Sequence, residues 1–300
     1  MRVAVTGPNG RLGSALLHAL GPDGMAWGRA DVDLDSTAAI ETPFLRDRPD
    51  IVIHAAAWTD VDGCALDPGL ALQRNGDATG RIARACASHG SRLIVISTNE
   101  VFDGLRTDGC PYAADAPPSP GNAYGLSKLA GERAASEAFA DAEAEADLAI
   151  VRTAWLYGPP GRDFPDKILD AAARAMASGT SMRLVADELG NPTYVQDLAR
   201  AILSLAAVDF PTSIHHVTNS GWASRADWAR EVLQIAGLDD IPIEDVSWRT
   251  WSRPSNPPPR AILEPTDIPG GVALRDWRAA TGEYVPALLQ ARLERETVVQ

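Results

Sequence analysis

Residues 3–13 read Val3-Ala-Val-Thr-Gly7-Pro-Asn-Gly10-Arg-Leu-Gly13, a short apolar run followed by three glycines. The run predicts a buried strand, and the apolar spacing of Ser14–Leu20 predicts a helix directly after the loop. A glycine loop between a strand and a helix is typical of dinucleotide binding. Gly7 allows the tight turn, Gly10 lets the backbone approach a pyrophosphate, and Gly13 lets helix and strand pack closely. The spacing is GxxGxxG rather than GxGxxG, and a glycine turn without a ligand is the alternative.

The dinucleotide is expected at the amino end of this helix, where free N–H groups and the helix dipole favour phosphates. Asp33 lies 20 residues after Gly13, where a carboxylate would bond the adenosine ribose and favour NADH. Arg29 could instead hold a 2′-phosphate, and we favour NADPH with NADH as the alternative. A turn aspartate within Asp31–Ser36 is the other interpretation of Asp33. The expected contacts from these two segments are Gly7, Asn9, Gly10, Arg11, Leu12, Gly13, Arg29, Asp33 and Leu34.

Continuous apolar runs at Ile51–Ala57, Leu93–Ser97 and Leu148–Thr153 predict strands buried on both faces. Helical patterns at Leu72–Cys86 and Tyr124–Phe139 lie between them. This alternation predicts an α/β fold of Rossmann type, a doubly wound parallel sheet with helices on both faces. In the helix over 72–86, the residues expected to face inward are Leu72, Ile82 and Cys86.

The second half of the chain is less regular and predicts a smaller C-terminal substrate lobe. Five of the eight tryptophans lie beyond residue 200. We expect residues 1–155 to form the nucleotide-binding domain and residues 156–300 mainly the substrate-binding lobe, with segments near 190–220 returning to the sheet. The expected local structures are helices at Lys167–Ala177, Asp197–Ala207 and Trp228–Ala236, a loop at Trp251–Pro259, and a solvated turn at Asp141–Asp147.

Composition excludes several classes of function. The chain has 300 residues and a net charge of −13, which argues against nucleic acid as a partner. No apolar run is long enough to span a bilayer, and no signal-peptide pattern is present, so no membrane partner is expected. Cys64, Cys86 and Cys110 form no CxxC pair and are read as free thiols in a reducing cytoplasm, or simply as filler.

Tyr124-Gly-Leu-Ser-Lys128 places a phenol and an ammonium on one face of a helix. Only two of the 27 basic residues are lysines, so Lys128 stands out. A nearby ammonium lowers the pKa of a phenol, which can then give a proton to a carbonyl oxygen. The hydroxyl of Thr98, at the end of a predicted strand, could polarise the same oxygen. A surface helix pair and a strand-end cap are the alternatives.

Several longer stretches resemble one family. They are Pro49–Asp62 (PDIVIHAAAWTDVD against PDVVINAAAYTAVD), Ser97–Gly104 (STNEVFDG against STDYVFDG), Asn122–Glu132 (against NVYGxSKxxGE), Arg152–Gly158 (RTAWLYG against RTSWVYG), Gly190–Thr193 with Asp197–Ala199 (against GxPT and DLA), and Arg253–Asn256 (against RPxNS). With the glycine loop they cover most of residues 1–200. The chain thus resembles the extended short-chain dehydrogenase/reductase superfamily, and within it the dTDP-4-dehydrorhamnose reductase family.

The resemblance implies an activity: NAD(P)H would reduce the C4 keto group of a nucleotide-linked 4-keto-6-deoxy sugar. By matched position, Thr98, Tyr124 and Lys128 would be catalytic, and Tyr124 and Lys128 would also contact the cofactor. The partner would be a nucleotide-diphosphate sugar, whereas oligomeric state stays open, a homodimer included. No metal site is carried over, because no carboxylate ligands can be matched. Further implied positions are Ala55, Ala56 and Ala57 along the cofactor, Thr59 and Trp155 at the substrate, and Asn75 supporting the site.

The sequence departs from the family at Asn99-Glu100, where Asp-Tyr is usual, at His54 for Asn, and at Glu188 for Gln. Asn99 and Glu100 are expected at the substrate, and Arg253 at its diphosphate, since an acidic protein must supply local positive charge there.

Two alternative functions remain. Nucleotide-sugar dehydratases of the superfamily carry STDEVYG, and Glu100 matches their glutamate, which leaves a dehydratase or epimerase role open. Asn99 replaces their acid, and an amide cannot donate that proton. The other alternative is a non-catalytic NADP-binding subunit resembling the regulatory subunit of methionine adenosyltransferase.

Overall fold

The structure, a computed structural model, describes residues 1–36, 38, 40–142, 148–160, 162–210, 213–268 and 270–299. Its strands are β1 Val3–Thr6, β2 Gly24–Trp27, β3 Ile51–His54, β4 Arg92–Thr98, β5 Leu148–Thr153, β6 Leu156–Tyr157, β7 Met182–Val185, β8 Leu189–Gly190, β9 Thr193–Tyr194, β10 Ser213–His216, β11 Ala223–Ser224 and β12 Ile243–Val246. The predicted turn over 141–147 lies almost wholly outside the described residues.

The helices are α1 Arg11–Leu20, α2 Thr42–Asp47, α3 Val61–Leu66, α4 Pro68–Ala71, α5 Ala78–His89, α6 Ala123–Asp141, α7 Phe164–Ser178, α8 Val195–Ala206, α9 Arg225–Ile235 and α10 Trp277–Val299. A π-helical stretch, Leu72–Asp77, connects α4 to α5. Among the described helices, none is long and apolar enough to cross a membrane.

Six described strands form one parallel sheet in the order β10-β5-β4-β3-β1-β2. Successive side chains leave a strand on opposite faces. Val3, Val5 and Ile53 accordingly join a core with α1 and α8, whereas Ala4 and Val52 join a second core with α5 and α6. The predicted Rossmann-type fold is confirmed. The strand order reverses between β1 and β3, and such folds bind ligands in the crevice at the carboxyl ends of those strands.

A third core gathers α7, α9 and α10 with short two-stranded pairs around Trp228 and Trp277. This is the smaller lobe, formed by the later part of the chain. β10 nevertheless pairs with β5 in the main sheet, and α8 packs on α1. A domain boundary at residue 155 stays a prediction.

Some sequence expectations differ from the structure. β3 ends at His54 rather than Ala57, because residues 55–57 leave the sheet to border the crevice. Leu72, expected inside, is 46% exposed, since the π-helical stretch changes the helix phase; Ile82 and Cys86 are buried as predicted. The cysteines are free as expected, and Cys110 is exposed. The strand β2 and the helices α3 and α10 were not predicted.

Candidate active site

The glycine loop after β1 forms one wall of the crevice. Gly7 has a φ of 68°, a region that favours glycine. A Cβ there would lie 2.9 Å from the Cα of Ala56, and a Cβ on Gly13 would lie 2.1 Å from the Gly7 carbonyl oxygen. Gly10 begins α1 without a side-chain cap. The backbone N–H groups at the start of α1 thus stay available for a phosphate, and the cradle fits a dinucleotide.

This crevice has a cavity of about 390 Å³. Its lining includes nine of the residues predicted to contact the cofactor: Gly7, Asn9, Gly10, Arg29, Asp33, Leu34, Ala55, Ala56 and Ala57. Of the other five, Tyr124 and Lys128 are buried on α6, and three lie elsewhere. The Leu12 side chain packs in the core, Gly13 lies behind the loop against Gly7, and Arg11 lines a different cleft. Sequence reasoning missed Pro8, Trp27, Gly28, Val32, Asp35, Trp58 and Arg74, which no motif marked.

Arg11 is turned away from the crevice by contacts with a later loop. Its Nε donates to the Gly158 carbonyl at 3.0 Å and its Nη2 to the Arg162 carbonyl at 3.1 Å. The guanidinium therefore joins α1 to the lobe that follows β5.

Two arginines and two aspartates meet at one end of the crevice. Arg29 lies 2.9 Å from Asp35 and 3.6 Å from Asp33, and Arg74 also pairs with Asp35. The Arg74 hydrogen bond is the main cause that holds the pKa of Asp35 below its usual value. Asp33 also accepts from the Asp35 N–H at 3.1 Å, so it has the turn role named as its alternative. This end thus offers both carboxylates and guanidiniums to a ribose.

Asn75 fastens the crevice wall to α6. Its Oδ1 accepts from the Trp58 N–H at 2.8 Å, and its Nδ2 donates to the Trp58 carbonyl at 3.0 Å and the Ser127 hydroxyl at 3.0 Å. Asn75 is buried within the π-helical stretch. It therefore supports the site through the backbone, as the resemblance implies.

The catalytic candidates come together from β4 and α6. Thr98 ends β4, while Tyr124 and Lys128 lie one turn apart on α6, and all three are buried. The Thr98 hydroxyl lies close enough to the phenol of Tyr124 to affect its pKa, and it accepts from the Glu100 N–H at 3.2 Å. Asn122 caps α6 by accepting from the Gly125 N–H at 2.8 Å. The cap fixes the helix start that carries Tyr124.

Burial is the main cause of the pKa shifts of Tyr124 and Lys128. Burial raises the pKa of Tyr124, the charge of Glu100 raises it further, and the nearby Thr98 hydroxyl lowers it. Burial lowers the pKa of Lys128 to about 8, against the opposing effect of Glu132. The expected lowering of the Tyr124 pKa is wrong here: the pKa is raised, because desolvation of the phenolate is the largest effect on it. Tyr124 therefore holds its proton at neutral pH.

A buried network lies behind the cluster. Arg152 donates to both carboxylate oxygens of Glu132, at 3.0 and 2.7 Å, and the Ser97 hydroxyl donates to the same carboxylate. His54 shares a hydrogen bond of 2.8 Å with the Thr6 hydroxyl, which also accepts from the Ala56 N–H at 3.1 Å. Burial lowers the pKa of His54 to about 3, so its ring is neutral. These contacts hold the strand ends that border the crevice.

A larger cleft of about 1440 Å³ lies beside the crevice. The two adjoin at consecutive residues, because Trp58 lines the crevice and Thr59 lines the cleft. Arg253 also lines the cleft, but its Nε pairs with Asp62 at 3.1 Å. Besides Arg11, three further basic residues line it without an ion pair to any described carboxylate: Lys167, Arg174 and Arg249. Sequence reasoning missed them, since nothing in their local sequence marks a cleft.

Trp155, expected at the substrate, stands in an uncommon backbone conformation with a φ of 45°. Its indole lies against Gly190, where a Cβ would be 2.4 Å from the indole Cε2. The guanidinium carbon of Arg225 lies 3.5 Å from the ring centre. The missing side chain at Gly190 and the guanidinium of Arg225 thus fix the position of the Trp155 ring.

The two family departures after Thr98 have different surroundings. The buried Asn99 donates from its Nδ2 to the Ala261 carbonyl at 3.0 Å, so it holds a C-terminal segment instead of facing the cleft. Glu100 accepts from the Asn122 Nδ2 at 2.7 Å. Burial is the main cause that raises the pKa of Glu100, and Glu188 adds to it. In the described part of the chain, no cluster of three or more His, Cys, Asp or Glu side chains is placed to hold a metal ion.

A glycine cradle at the strand-order reversal and a Thr-Tyr-Lys cluster at the neighbouring strand end define a Rossmann-type protein of the short-chain dehydrogenase/reductase class. Residues 1–290 match the family described as RmlD substrate binding domain, and the chain belongs to that family. The predicted resemblance is therefore confirmed.

Proteins of similar sequence match this chain over nearly its whole length. A dTDP-4-dehydrorhamnose reductase of Streptomyces griseus is 36% identical over 296 residues, covering 96% of this chain and 94% of that protein. A probable dTDP-4,6-dihydroxy-2-methyloxan-3-one 4-ketoreductase of Streptomyces antibioticus is 35% identical and covers 97% of each. The crystal structure of a Bacillus anthracis dTDP-4-dehydrorhamnose reductase in complex with NADP has a TM-score of 0.84 and 30% identity, covering 94% of this chain and 98% of that one.

Proposed function

We propose that this protein uses NADPH to reduce the C4 keto group of a dTDP-linked 4-keto-6-deoxy sugar to an alcohol. The observation that carries the proposal is the juxtaposition of three buried side chains: Thr98 at the end of β4, Tyr124 at the start of α6 and Lys128 one turn along that helix. A crevice that fits a dinucleotide adjoins a cleft wide enough for a nucleotide sugar, and Trp58, which lines the crevice, packs in one hydrophobic cluster with Tyr124. Relatives that cover this chain almost completely carry names of the same reaction class.

Tyr124 is the acid in this proposal. NADPH, held by the glycine cradle, would supply the hydride for the carbonyl carbon. Tyr124 gives its proton to the carbonyl oxygen, so that one C–H and one O–H bond form as the C=O double bond becomes single. Thr98 donates a hydrogen bond to the same oxygen. Lys128, when protonated, offsets the phenolate charge that remains and contacts the cofactor ribose.

NADPH is favoured by the arginines at the ribose end of the crevice. Arg29 is exposed and lines the crevice together with Arg74. Guanidinium groups suit phosphate oxygens. Asp33 and Asp35 lie there too, and for this reason NADH stays the alternative.

The nucleotide diphosphate is assigned to the basic residues of the cleft. Arg253, predicted for this role from the sequence, remains a candidate, although Asp62 offsets its charge. Lys167, Arg174 and Arg249 carry the positive charge that an anionic ligand needs in a protein of net charge −13. Asn99 opposes dehydration, since its amide is bound to the Ala261 carbonyl and cannot serve as an acid.

The test is oxidation of NADPH, followed by absorbance, with dTDP-4-keto-6-deoxyglucose as substrate. It is run with and without a 3,5-epimerase, and with NADH in parallel. Turnover that requires the epimerase supports a reductase of the dehydrorhamnose type, and turnover without it indicates a different deoxysugar. Tight NADPH binding with no oxidation in either case contradicts the proposal and favours a non-catalytic subunit.

A further inference from the structure

A loop from the C-terminal part of the chain, residues 251–257, borders the large cleft and is fastened by one buried side chain. These residues, all within the described ranges, form neither helix nor strand, and most are exposed. Ser255 alone is buried, at 2% exposed. Its N–H donates to the Asp62 Oδ1 at 3.2 Å, and its hydroxyl donates to the same oxygen. The loop is therefore attached to the first turn of α3, where Asp62 lies.

Asp62 also holds the arginine of this loop. The Arg253 Nε donates to the Asp62 Oδ1 at 3.1 Å, so one oxygen accepts from both Arg253 and Ser255. Within the described part of the chain, the two terminal nitrogens of Arg253 make no hydrogen bond. Arg253 and Asp62 both line the large cleft. A guanidinium held at its Nε thus keeps its terminal donors for a ligand in that cleft.

The loop is also joined to the start of α6. The Asn256 carbonyl accepts from the Asn122 Nδ2 at 3.2 Å. Asn122 caps the helix that carries Tyr124. On the other side, Asp62 follows closely after Thr59, which lines the same cleft. Hydrogen bonds thus tie the loop to the cleft wall beside Thr59 and to the helix that carries the proposed acid.

The Asp62 carboxylate has two opposite effects on an anion at Arg253. The Ser255 hydrogen bond is the main cause that lowers the pKa of Asp62, so the carboxylate is charged at neutral pH and opposes an anion. The Asp62 and Arg253 side chains are 40% and 39% exposed, and water therefore screens this repulsion. The hydrogen bonds, in contrast, order a long side chain before a ligand arrives, which removes part of the entropic cost of binding. We expect this ordering to outweigh the repulsion.

We propose that Asp62 is a positioning residue for the substrate diphosphate: it anchors the 251–257 loop so that Arg253 presents its terminal nitrogens to the cleft. The proposal rests on the proposed function, which places a nucleotide-linked sugar in this cleft. It gives the ion pair of Asp62 and Arg253 a part in binding, although the same pair offsets the charge of the arginine.

The test measures the dissociation constant of dTDP, a nucleoside diphosphate that binds without turnover, by calorimetry. Asp62→Ala should bind dTDP at least about tenfold more weakly, as for the loss of one hydrogen bond to a charged group. Asp62→Asn keeps an acceptor oxygen for the loop and should stay within about threefold of wild type. Asp60→Ala, the control, removes the same charge from the start of α3, where Asp60 accepts only from the Gly63 N–H among the described residues. It should stay within about twofold of wild type.

A double-mutant cycle shows whether Asp62 acts through Arg253. In an Arg253→Gln background, Asp62→Ala should weaken dTDP binding by less than about twofold further, because the side chain that it positions is gone. The NADP⁺ affinity should stay within about twofold of wild type in each variant, because Asp62 is not among the described residues that line the crevice. A general loosening of the fold would instead weaken dTDP in both backgrounds and NADP⁺ as well.

Equal or tighter dTDP binding in Asp62→Ala overturns the proposal, as does the same loss in both backgrounds or failure of the wild type to bind dTDP. Ser255→Ala is a milder change for the case in which Asp62→Ala does not fold. It should weaken dTDP binding by about two- to tenfold, and an unchanged affinity there also overturns the proposal.

Turnover is measured in parallel as NADPH oxidation with dTDP-4-keto-6-deoxyglucose and a 3,5-epimerase. Binding of dTDP that depends on Asp62, without oxidation by the wild type, leaves this proposal standing and contradicts the proposed function. Oxidation by the wild type, with an unchanged KM and an unchanged dTDP affinity in Asp62→Ala, does the reverse.

Discussion

The amide of Asn122 donates to the Glu100 carboxylate at 2.7 Å while its oxygen caps α6 by accepting from the Gly125 N–H at 2.8 Å. One side chain therefore fixes both the start of the helix that carries Tyr124 and the carboxylate beside it. Asn122→Asp keeps the cap but turns an oxygen toward Glu100. We expect a free energy of unfolding about 1–3 kcal/mol below wild type at pH 8, because the hydrogen bond to Glu100 is lost and two carboxyl groups face each other.

The size of that loss depends on pH. At pH 5 the raised pKa of Glu100 lets the two carboxyl groups share a proton, so the variant should approach wild type. Urea unfolding of both proteins at the two pH values measures the difference. A deficit that is the same at pH 5 and pH 8 contradicts the assignment.

The buried ion pair of Glu132 and Arg152 should stabilise the fold, because Arg152 donates to both oxygens of the carboxylate. Glu132→Gln leaves the Arg152 guanidinium buried without a counter-charge and should lower the free energy of unfolding by about 3–5 kcal/mol. Glu244→Gln, which breaks an exposed pair with Arg183, serves as the control and should cost less than about 1 kcal/mol. Similar losses in the two variants would show that burial of the pair has no special consequence.

The close approach inside the glycine loop gives another prediction. In Gly13→Ala the new Cβ would lie 2.1 Å from the Gly7 carbonyl, so the loop must move, and we expect a loss of about 1–3 kcal/mol in stability and at least about tenfold weaker NADPH binding. Gly282→Ala, with open space around its Cβ in α10, should be neutral or stabilising by up to about 1 kcal/mol. Fluorescence titration with NADPH and thermal unfolding measure the two effects. Unchanged cofactor affinity in Gly13→Ala would refute the role of the cradle.

Lys128 should titrate with a pKa of about 8, well below its ordinary value of 10.5. Unfolding restores the ordinary value, so between these two pH values the unfolded chain binds more protons and the contribution of Lys128 to stability rises with pH. Lysine-selective NMR labelling measures this directly. Lys167→Arg removes the only other lysine, which leaves a single signal. A midpoint at or above 10.5 would contradict the effect of burial.

The sequence allows the sheet, the glycine loop and the Thr98, Tyr124 and Lys128 cluster to be predicted, because strands buried on both faces and fixed motif spacings leave local signals. Contacts between residues that are distant in the sequence leave no such local signal. Arg11 lies within the glycine loop in sequence. Its guanidinium nevertheless hydrogen-bonds the carbonyls of residues 158 and 162 and lines the large cleft. Asn99 follows Thr98, yet a carbonyl at residue 261 fixes it. Such partners become known only when distant segments have been brought together.

The expected direction of the Tyr124 pKa shift is wrong for a related reason. The spacing of Tyr124 and Lys128 correctly places them on one helix, but it carries no information about burial. Burial reverses the expected direction of the Tyr124 pKa. The same applies to Glu188 and Arg225, which are separated in sequence and meet over Trp155.

The central claim is hydride transfer to a sugar keto carbon with Tyr124 as the acid. The most direct measurement uses NADPH carrying deuterium at the transferable position, dTDP-4-keto-6-deoxyglucose and a 3,5-epimerase, with mass spectrometry and NMR of the product. The account predicts one deuterium at C4 of the product sugar, and a rate about 10²- to 10⁴-fold lower in Tyr124→Phe, which should still bind NADPH. A product without deuterium at C4, or an undiminished rate in Tyr124→Phe, would contradict it.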